Sequence, residues 1–106
     1  MNDDVLKLTE SISAGICHLY ARGRVDSNTA DLLLVNLEKA LTNGHKAIIL
    51  NMSQVEYLSS IGIRVILKIY KQAIEKGGTF NVEHPSAIVK NVLGMVALKE
   101  ILVTDH

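Results

Sequence analysis

The sequence predicts an α/β fold in which helices pack on one mixed β-sheet of about four to five strands. Segments typical of strands alternate with segments of helical periodicity, and no repeat, linker or low-complexity segment separates them. The length of 106 residues, of which 48% are hydrophobic, suits one domain with one core. We therefore expect a single domain over 1–106, with short flexible ends at about 1–4 and 104–106.

Four segments rich in β-branched and apolar residues predict the strands. Val5–Glu10 and Gly15–Val25 are separated by a predicted turn region at Ser11–Gly15, which favours two paired strands. Ala47–Leu50 is a short continuous apolar run, which predicts a central strand buried on both faces, followed by a loop over Asn51–Ser59. Thr79–Glu83 alternates polar and apolar residues, as a half-buried strand does.

Three segments with apolar residues at helical spacing predict the helices. The first follows the potential N-caps at 26–28 and ends at Asn43–Gly44, the second ends at Gly77–Gly78, and the third starts over His84–Ser86. The range Leu98–Val103 is predicted as a turn and a short strand. The predicted core positions are Ala30, Leu33, Leu34, Leu37 and Leu41 in the first helix, Ile63, Ile66, Leu67, Tyr70 and Ile74 in the second, and Ile88, Val89, Val92, Leu93 and Val96 in the third.

Charge and composition argue against several classes of partner. Eleven basic residues balance eleven acidic ones without a long run of either sign, so nucleic acid and anionic membrane surfaces are not expected to bind. No apolar stretch approaches the roughly 18 residues of a membrane span, and Met1–Glu10 has no signal-peptide pattern. These observations predict a cytoplasmic protein without membrane insertion.

Metal binding and catalysis are not expected from the sequence. Cys17 is the only cysteine, from which we exclude both an internal disulfide and any cysteine-based zinc site, and we predict a small core residue rather than a nucleophile. No G-x-S-x-G elbow, P-loop or dinucleotide glycine pattern occurs, and no cofactor is expected. The histidines are dispersed without ligand spacing, at His18, His45, His84 and His106.

The chemistry is expected at Ser59 and Ser60, where the chain leaves a central strand and enters the second helix. The first amides of a helix have no intrahelical acceptors, and the aligned peptide dipoles give that end about half a positive charge. A phosphate on Ser60 would therefore be stabilised. A serine before an apolar helical run is also a common N-cap, so the local pattern leaves both capping and phosphorylation open.

Three stretches give the chain a resemblance to the STAS family, specifically to its single-domain anti-sigma factor antagonists. Gly23–Asp26 is similar to the family's strand end and helix start, Ile48–Val55 to its central strand and loop, and Tyr57–Gly62 to its phosphoacceptor motif. The family form of that motif reads aspartate, serine, serine or threonine, glycine, and the hydroxyl after the aspartate receives the phosphate. Matching the glycine places Ser60 at that position, with Ser59 as the second candidate.

The resemblance implies an anti-sigma factor antagonist without enzymatic activity. In its unphosphorylated form it would bind an anti-sigma factor that is also a serine kinase and so release a sigma factor, and phosphorylation at Ser60 would inactivate it. A phosphatase is implied as a second partner. The alternative is a STAS scaffold subunit of a signalling or lipid-transport assembly that is never phosphorylated. The chain departs from the family pattern at Asn51 and Ser59, where aspartate is common, and at Ile61, where a second hydroxyl is common.

A partner-binding surface is expected around the start of the second helix. Ile61, Val65 and Ile69 form a second apolar stripe nearly opposite the predicted core positions. It either packs beneath the third helix or forms an exposed patch that a partner covers. Asp26 either contacts the kinase or a metal held by the kinase, or it caps the first helix. The predicted partner-binding residues are Asp26, Ser59, Ser60, Ile61, Gly62, Arg64, Val65, Lys68 and Ile69.

Overall fold

A computed structural model of the chain describes residues 5–95. Within that range it contains four strands and three helices, which confirms the predicted α/β fold. The predicted strand over Leu98–Val103, the predicted core position Val96 and the predicted flexible ends lie outside the described residues. In chain order the elements are β1 (Lys7–Ser13), β2 (Ile16–Val25), α1 (Ala30–Thr42), β3 (Ala47–Leu58), α2 (Ser60–Glu75), β4 (Thr79–Glu83) and α3 (Ala87–Met95).

The four strands form one mixed sheet in the order β1-β2-β3-β4. β1 is antiparallel to β2, whereas β3 is parallel to both β2 and β4, with α1 and α2 as the crossover connections. Ala14 and Gly15 join β1 to β2 and have positive φ angles of 54° and 79°. Two central residues with positive φ match the twist of a tight hairpin, which explains why a small residue and a glycine occupy this turn.

The central strand β3 is longer than the sequence predicts. The predicted strand ends at Leu50 and the predicted loop covers Asn51–Ser59, but β3 continues to Leu58. Its second half pairs with β2 across two register shifts. In this half the polar residues are exposed, while Met52, Val55 and Leu58 are buried. Pairing with a neighbouring strand, rather than local composition, therefore makes this segment a strand, and the predicted loop is wrong.

β4 and Ser86 cover different parts of the outer edge of β3. β4 pairs only with the first five residues of β3. Beyond them the Ser86 N–H donates to the Met52 carbonyl oxygen at 3.1 Å, and the Ser86 hydroxyl donates to the Val55 carbonyl oxygen at 2.7 Å. The same hydroxyl accepts from the Val89 N–H at 3.4 Å, as a helix cap does. Ser86 therefore forms hydrogen bonds both with the edge of β3 and with the first turn of α3.

The core lies between one face of the sheet and the helices. Ile48 and Leu50 are fully buried on this face, whereas Ile49 on the opposite face is only half-buried. The prediction that Ala47–Leu50 is buried on both faces is therefore wrong. Cys17 is fully buried, as predicted for a small core residue. No polar or charged side chain within residues 5–95 is buried, so the described core is entirely apolar.

The predicted core faces of α1 and α3 are largely confirmed. In α3, Val89 and Leu93 are fully buried, while Ile88 is 40% exposed. Leu34 of α1 is partly buried against the core. The predicted positions of α1 that are buried are Ala30, Leu33, Leu37 and Leu41. None of the helices in the described part of the chain has both the length and the apolarity that a bilayer crossing requires.

Helix α2 turns a different face toward the core than its spacing predicts. Of the predicted positions only Ile66 is fully buried, and Ile74 is 52% exposed. α2 is apolar on two sides, so periodicity alone does not determine which side meets the sheet. Packing against α1 and β4 determines it instead. The buried residues of α2 are Gly62, Val65, Ile66, Ile69 and Ala73.

Candidate functional site

Helix α2 begins directly at the carboxyl ends of β2 and β3. Ser59 is its N-cap, and the Ser59 hydroxyl accepts a hydrogen bond from the Gly62 N–H at 3.2 Å. The Ser59 N–H donates to the Val25 carbonyl oxygen at 2.9 Å, and the Ser59 carbonyl oxygen accepts from the Ile63 N–H at 3.0 Å. Three hydrogen bonds from one residue therefore fix the junction between the sheet and α2.

Ser60 is the first residue of α2, and its side chain is exposed. Because Ser59 fills the capping role, the Ser60 hydroxyl is not needed for it. The amides of Ser60 and Ile61 precede the first intrahelical bond, and the peptide dipoles of this 16-residue helix place their positive end here. A doubly negative group on the Ser60 Oγ would therefore lie in a favourable field.

Gly62 allows the first turn of α2 to close onto the strand ends. A Cβ atom at this position would lie 2.6 Å from the Val25 Cγ1 and 2.7 Å from the Leu58 Cδ1. Both distances are far below the ~3.5 Å at which non-bonded carbon atoms pack. The glycine is required for space, and any side chain here would push the helix start away from the sheet. Gly62 is buried, so it shapes the predicted partner surface instead of contacting a partner.

Asp26 adjoins this junction, because the preceding residue Val25 accepts the Ser59 amide. The Asp26 carboxylate accepts from the Asn28 N–H at 2.9 Å and from the Thr29 hydroxyl at 3.3 Å. The bond from the Asn28 amide is the main cause that holds the pKa of Asp26 below its ordinary value of 3.8. The N-cap of α1 is Thr29, so the alternative that Asp26 caps this helix is wrong: Asp26 stabilises the turn before it.

Arg24 and Tyr57 form a contact that is not predicted from the sequence. The two residues are partners across β2 and β3, and the Arg24 guanidinium carbon lies 4.4 Å from the centre of the Tyr57 ring. The Arg24 Nε lies 3.6 Å from the Asp26 Oδ2. Sequence reasoning misses the contact because it assigns Tyr57 to a loop, whereas in the structure each residue precedes the last residue of its strand. Parallel strands that end together place such positions side by side.

Further along α2, the accessible residues include Ile61, which is 41% exposed, and the exposed Arg64. Lys68 is also accessible, and its Nζ lies 3.7 Å from the Glu38 Oε2 of α1. An ion pair this exposed adds little stability, so Lys68 can exchange it for a partner's carboxylate. The accessible residues around the start of α2 are called the α2 rim below: Arg24, Asp26, Tyr57, Ser60, Ile61, Arg64 and Lys68.

Two of the predicted partner-binding residues do not belong to this surface. Val65 is only 7% exposed and Ile69 is fully buried, and both are part of the hydrophobic core. The exposed-patch interpretation is therefore wrong for both, and α2 packs mainly on α1 and β4 instead of beneath α3. Only Ile61 of the predicted second stripe reaches the surface. The sequence misassigns the other two because α2 has apolar residues on both sides.

Comparison with known proteins places the whole described fold in one family. The model of the STAS domain family matches residues 8–105. A protein of Paenibacillus polymyxa named anti-sigma F factor antagonist is 27% identical over 89 residues, which are 83% of this chain and 76% of that protein. A Bordetella bronchiseptica protein, named as a candidate anti-sigma factor antagonist, is 31% identical over 67 residues. That match covers 63% of this chain and 58% of the relative, so it spans less than two thirds of the relative's length.

Solved structures share the fold at lower sequence identity. The anti-sigma factor antagonist SpoIIAA in its unphosphorylated form has a TM-score of 0.81 and 17% identity, covering 94% of this chain and 88% of that one. The phosphorylated form of SpoIIAA from Bacillus has a TM-score of 0.75 and 16% identity, covering 94% and 91%. At these identities the likeness establishes the fold and no more.

Proposed function

Because the chain belongs to the STAS domain family, we propose that it is an anti-sigma factor antagonist that is switched at Ser60. The unphosphorylated form binds an anti-sigma factor that is also a serine kinase, and this binding releases a sigma factor. The kinase transfers the terminal phosphoryl group of ATP to the Ser60 Oγ, which gives up its proton as ADP leaves. The phosphorylated form no longer binds, and a phosphatase restores it.

The proposal depends on one observation, the division of roles between two adjacent serines. Ser59 is half-buried, and its hydroxyl accepts the Gly62 amide, so a phosphate there would replace the group that caps α2. Ser60 is exposed on the first turn, where a kinase can reach it and a phosphate leaves the cap intact. We therefore assign the phosphoacceptor to Ser60 rather than to Ser59.

The charges of the α2 rim support a simple mechanism for the switch. Arg24, Arg64 and Lys68 favour a partner with acidic groups at the contact. A phosphate on Ser60 adds about −1.5 to −2 charges beside them, and it competes for the same cations. Repulsion of the partner's acidic groups and the cost of desolvating the phosphate then weaken the complex. No change in the fold is required.

The names of the similar proteins agree with this type of function. The Paenibacillus relative is named for antagonism of an anti-sigma factor. SpoIIAA has been solved in unphosphorylated and phosphorylated forms, which establishes for that protein that this fold accommodates a phosphate. Both statements concern those proteins, and they support the proposal for this chain.

The decisive experiment combines mass and binding measurements. The protein is incubated with ATP and the cognate anti-sigma factor kinase, and its intact mass is recorded. We expect one added phosphoryl group on the unaltered protein and none on Ser60→Ala. In calorimetric titrations without ATP, Ser60→Ala binds the kinase like the unaltered protein, whereas Ser60→Asp binds at least tenfold more weakly, a loss of about 1.4 kcal/mol or more.

Two matched variants control this result. Ser59→Ala should still accept the phosphoryl group, and Ser11→Asp, which adds the same charge to an exposed position of β1, should bind normally. A phosphoryl group found on Ser59, or equal binding by Ser60→Asp, would refute the switch. Binding of the kinase without any phosphorylation would favour a scaffold that is never modified.

A further inference from the structure

Three potential metal ligands meet at the end of β2 that lies farthest from Ser60. They are Glu10, Cys17 and His45, and their ligand atoms all lie within 4.8 Å of one another. The sequence does not predict this grouping, since the three residues have no ligand spacing. The Cys17 Sγ donates a hydrogen bond to the Glu10 Oε2 at 3.2 Å, so two of the three side chains already touch.

The fold explains why these residues converge. In the β1–β2 ladder Cys17 is opposite Ile12 and Glu10 is opposite Leu19, which makes Glu10 and Cys17 diagonal neighbours on one face of the sheet. On the other side of β2, Cys17 pairs with Ile48 of β3, and His45 precedes that strand by two residues. Two adjacent strands and the connection that leads into β3 therefore each contribute one ligand.

We propose that this cluster binds Zn²⁺ through the Cys17 Sγ, a ring nitrogen of His45 and a carboxylate oxygen of Glu10. Water fills the fourth position of a tetrahedral site. A donor set of one sulfur, one nitrogen and one oxygen suits zinc, whereas magnesium and calcium require oxygen donors. The thiol proton passes to solvent as the S–Zn bond forms, and Glu10 exchanges its bond to the S–H group for a bond to the metal.

Charge and mobility both permit this site. Burial and the neighbouring Glu10 raise the pKa of the Cys17 thiol to about 12, so the metal must compensate for the loss of its proton. A thiolate, a carboxylate and a neutral imidazole around Zn²⁺ give a complex with no net charge, which limits the cost of placing it beside the apolar core. Bond lengths of about 2.0–2.3 Å place the ligand atoms of a tetrahedral site about 3.3–3.7 Å apart. The Cys17 Sγ and the Glu10 Oε2, at 3.2 Å, already have nearly this spacing. Glu10 is exposed and His45 is half-buried, so these two side chains can rotate toward the fixed Cys17.

The experiment uses the full chain and the metal alone. Zn²⁺ is titrated in competition with a chromophoric chelator, and Co²⁺ is added separately as a spectroscopic probe. We expect one metal ion per chain and a thiolate-to-cobalt charge-transfer band in the near ultraviolet. His45→Ala should weaken Zn²⁺ binding at least tenfold and Glu10→Gln severalfold, and Cys17→Ser should abolish the charge-transfer band.

The control is His18→Ala, which removes the half-buried imidazole of the residue next to Cys17. This variant should bind Zn²⁺ like the unaltered protein. Because Cys17 belongs to the core, the variants of the two accessible ligands test the site independently of core packing. A missing charge-transfer band in the unaltered protein, or undiminished Zn²⁺ binding by His45→Ala, would overturn the proposal. Loss of binding in His18→Ala would also do so, since it would move the site elsewhere.

Discussion

The two ends of β2 are built in different ways. At the Val25 end, the polar groups of Ser59 and Asp26 are held by residues nearby in the chain or in the adjoining strand, and Gly62 closes the helix start without a gap. At the Cys17 end, side chains from three segments converge with a single hydrogen bond among them. The first end is organised before any partner arrives. The second brings its three side chains within 4.8 Å of one another, with the hydrogen bond between Cys17 and Glu10 to orient them.

The largest expected effect comes from adding one methyl group at the organised end. Gly62→Ala places a Cβ atom against Val25 and Leu58, and overpacking of this kind costs roughly 1–3 kcal/mol. Gly94→Ala is the matched control, because a Cβ atom there meets nothing within 4 Å and alanine favours the helix by up to about 1 kcal/mol. Urea denaturation compares the two variants. If Gly62→Ala proved as stable as Gly94→Ala, the close fit of α2 on the strand ends would be contradicted.

A smaller effect separates the two serines. Ser59→Ala removes the hydroxyl that accepts the Gly62 amide, and the loss of an N-cap typically costs about 1 kcal/mol. Ser60→Ala removes an exposed hydroxyl on the first turn and should change the free energy of unfolding by less than about 0.5 kcal/mol. The same denaturation measurement distinguishes them. Equal losses in both variants would show that the capping role is shared.

The smallest effect concerns the pH dependence of stability at Asp26. The pKa of Asp26 is lowered in the folded protein, so its carboxylate stabilises the fold above the unfolded pKa, near the ordinary value of 3.8. This contribution is lost as the pH falls through the lower, folded pKa. Melting temperatures of Asp26→Asn should therefore lie below those of the unaltered protein at neutral pH and approach them under acidic conditions.

Glu56→Gln, which removes another exposed carboxylate, controls for the general effect of lost charge. If the melting temperature of Asp26→Asn stayed below that of the unaltered protein at low pH, the difference would not be caused by ionisation of Asp26. If Glu56→Gln lowered the melting temperature by the same amount, the hydrogen bond from the Asn28 amide would add no specific stability. Either result would weaken the contrast between a tightly organised strand end and an ordinary exposed surface.

Local patterns were sufficient to predict most of the fold and the place of Ser59 and Ser60 at a helix start. The motif around Ser59 and Ser60 consists of consecutive residues, so local patterns are enough to predict that it lies at a helix start. The structure confirms this place. The second half of β3 was not predictable in the same way, because its exposed polar residues resemble a loop and only pairing with β2 makes them a strand. The buried face of α2 and the cluster around Cys17 likewise depend on which segments pack together.

Ser86 covers part of an edge of β3 that could otherwise pair with another chain. β3 carries buried apolar residues to its last position, yet among residues 5–95 no strand pairs with the outer side of its second half. An unpaired edge of this kind is a template for pairing with another chain, and Ser86 occupies it with two hydrogen bonds. Detachment of α3 would therefore do more than loosen the core. It would expose the edge of β3 next to the start of α2, so the docking of α3 also protects this edge from pairing with another chain.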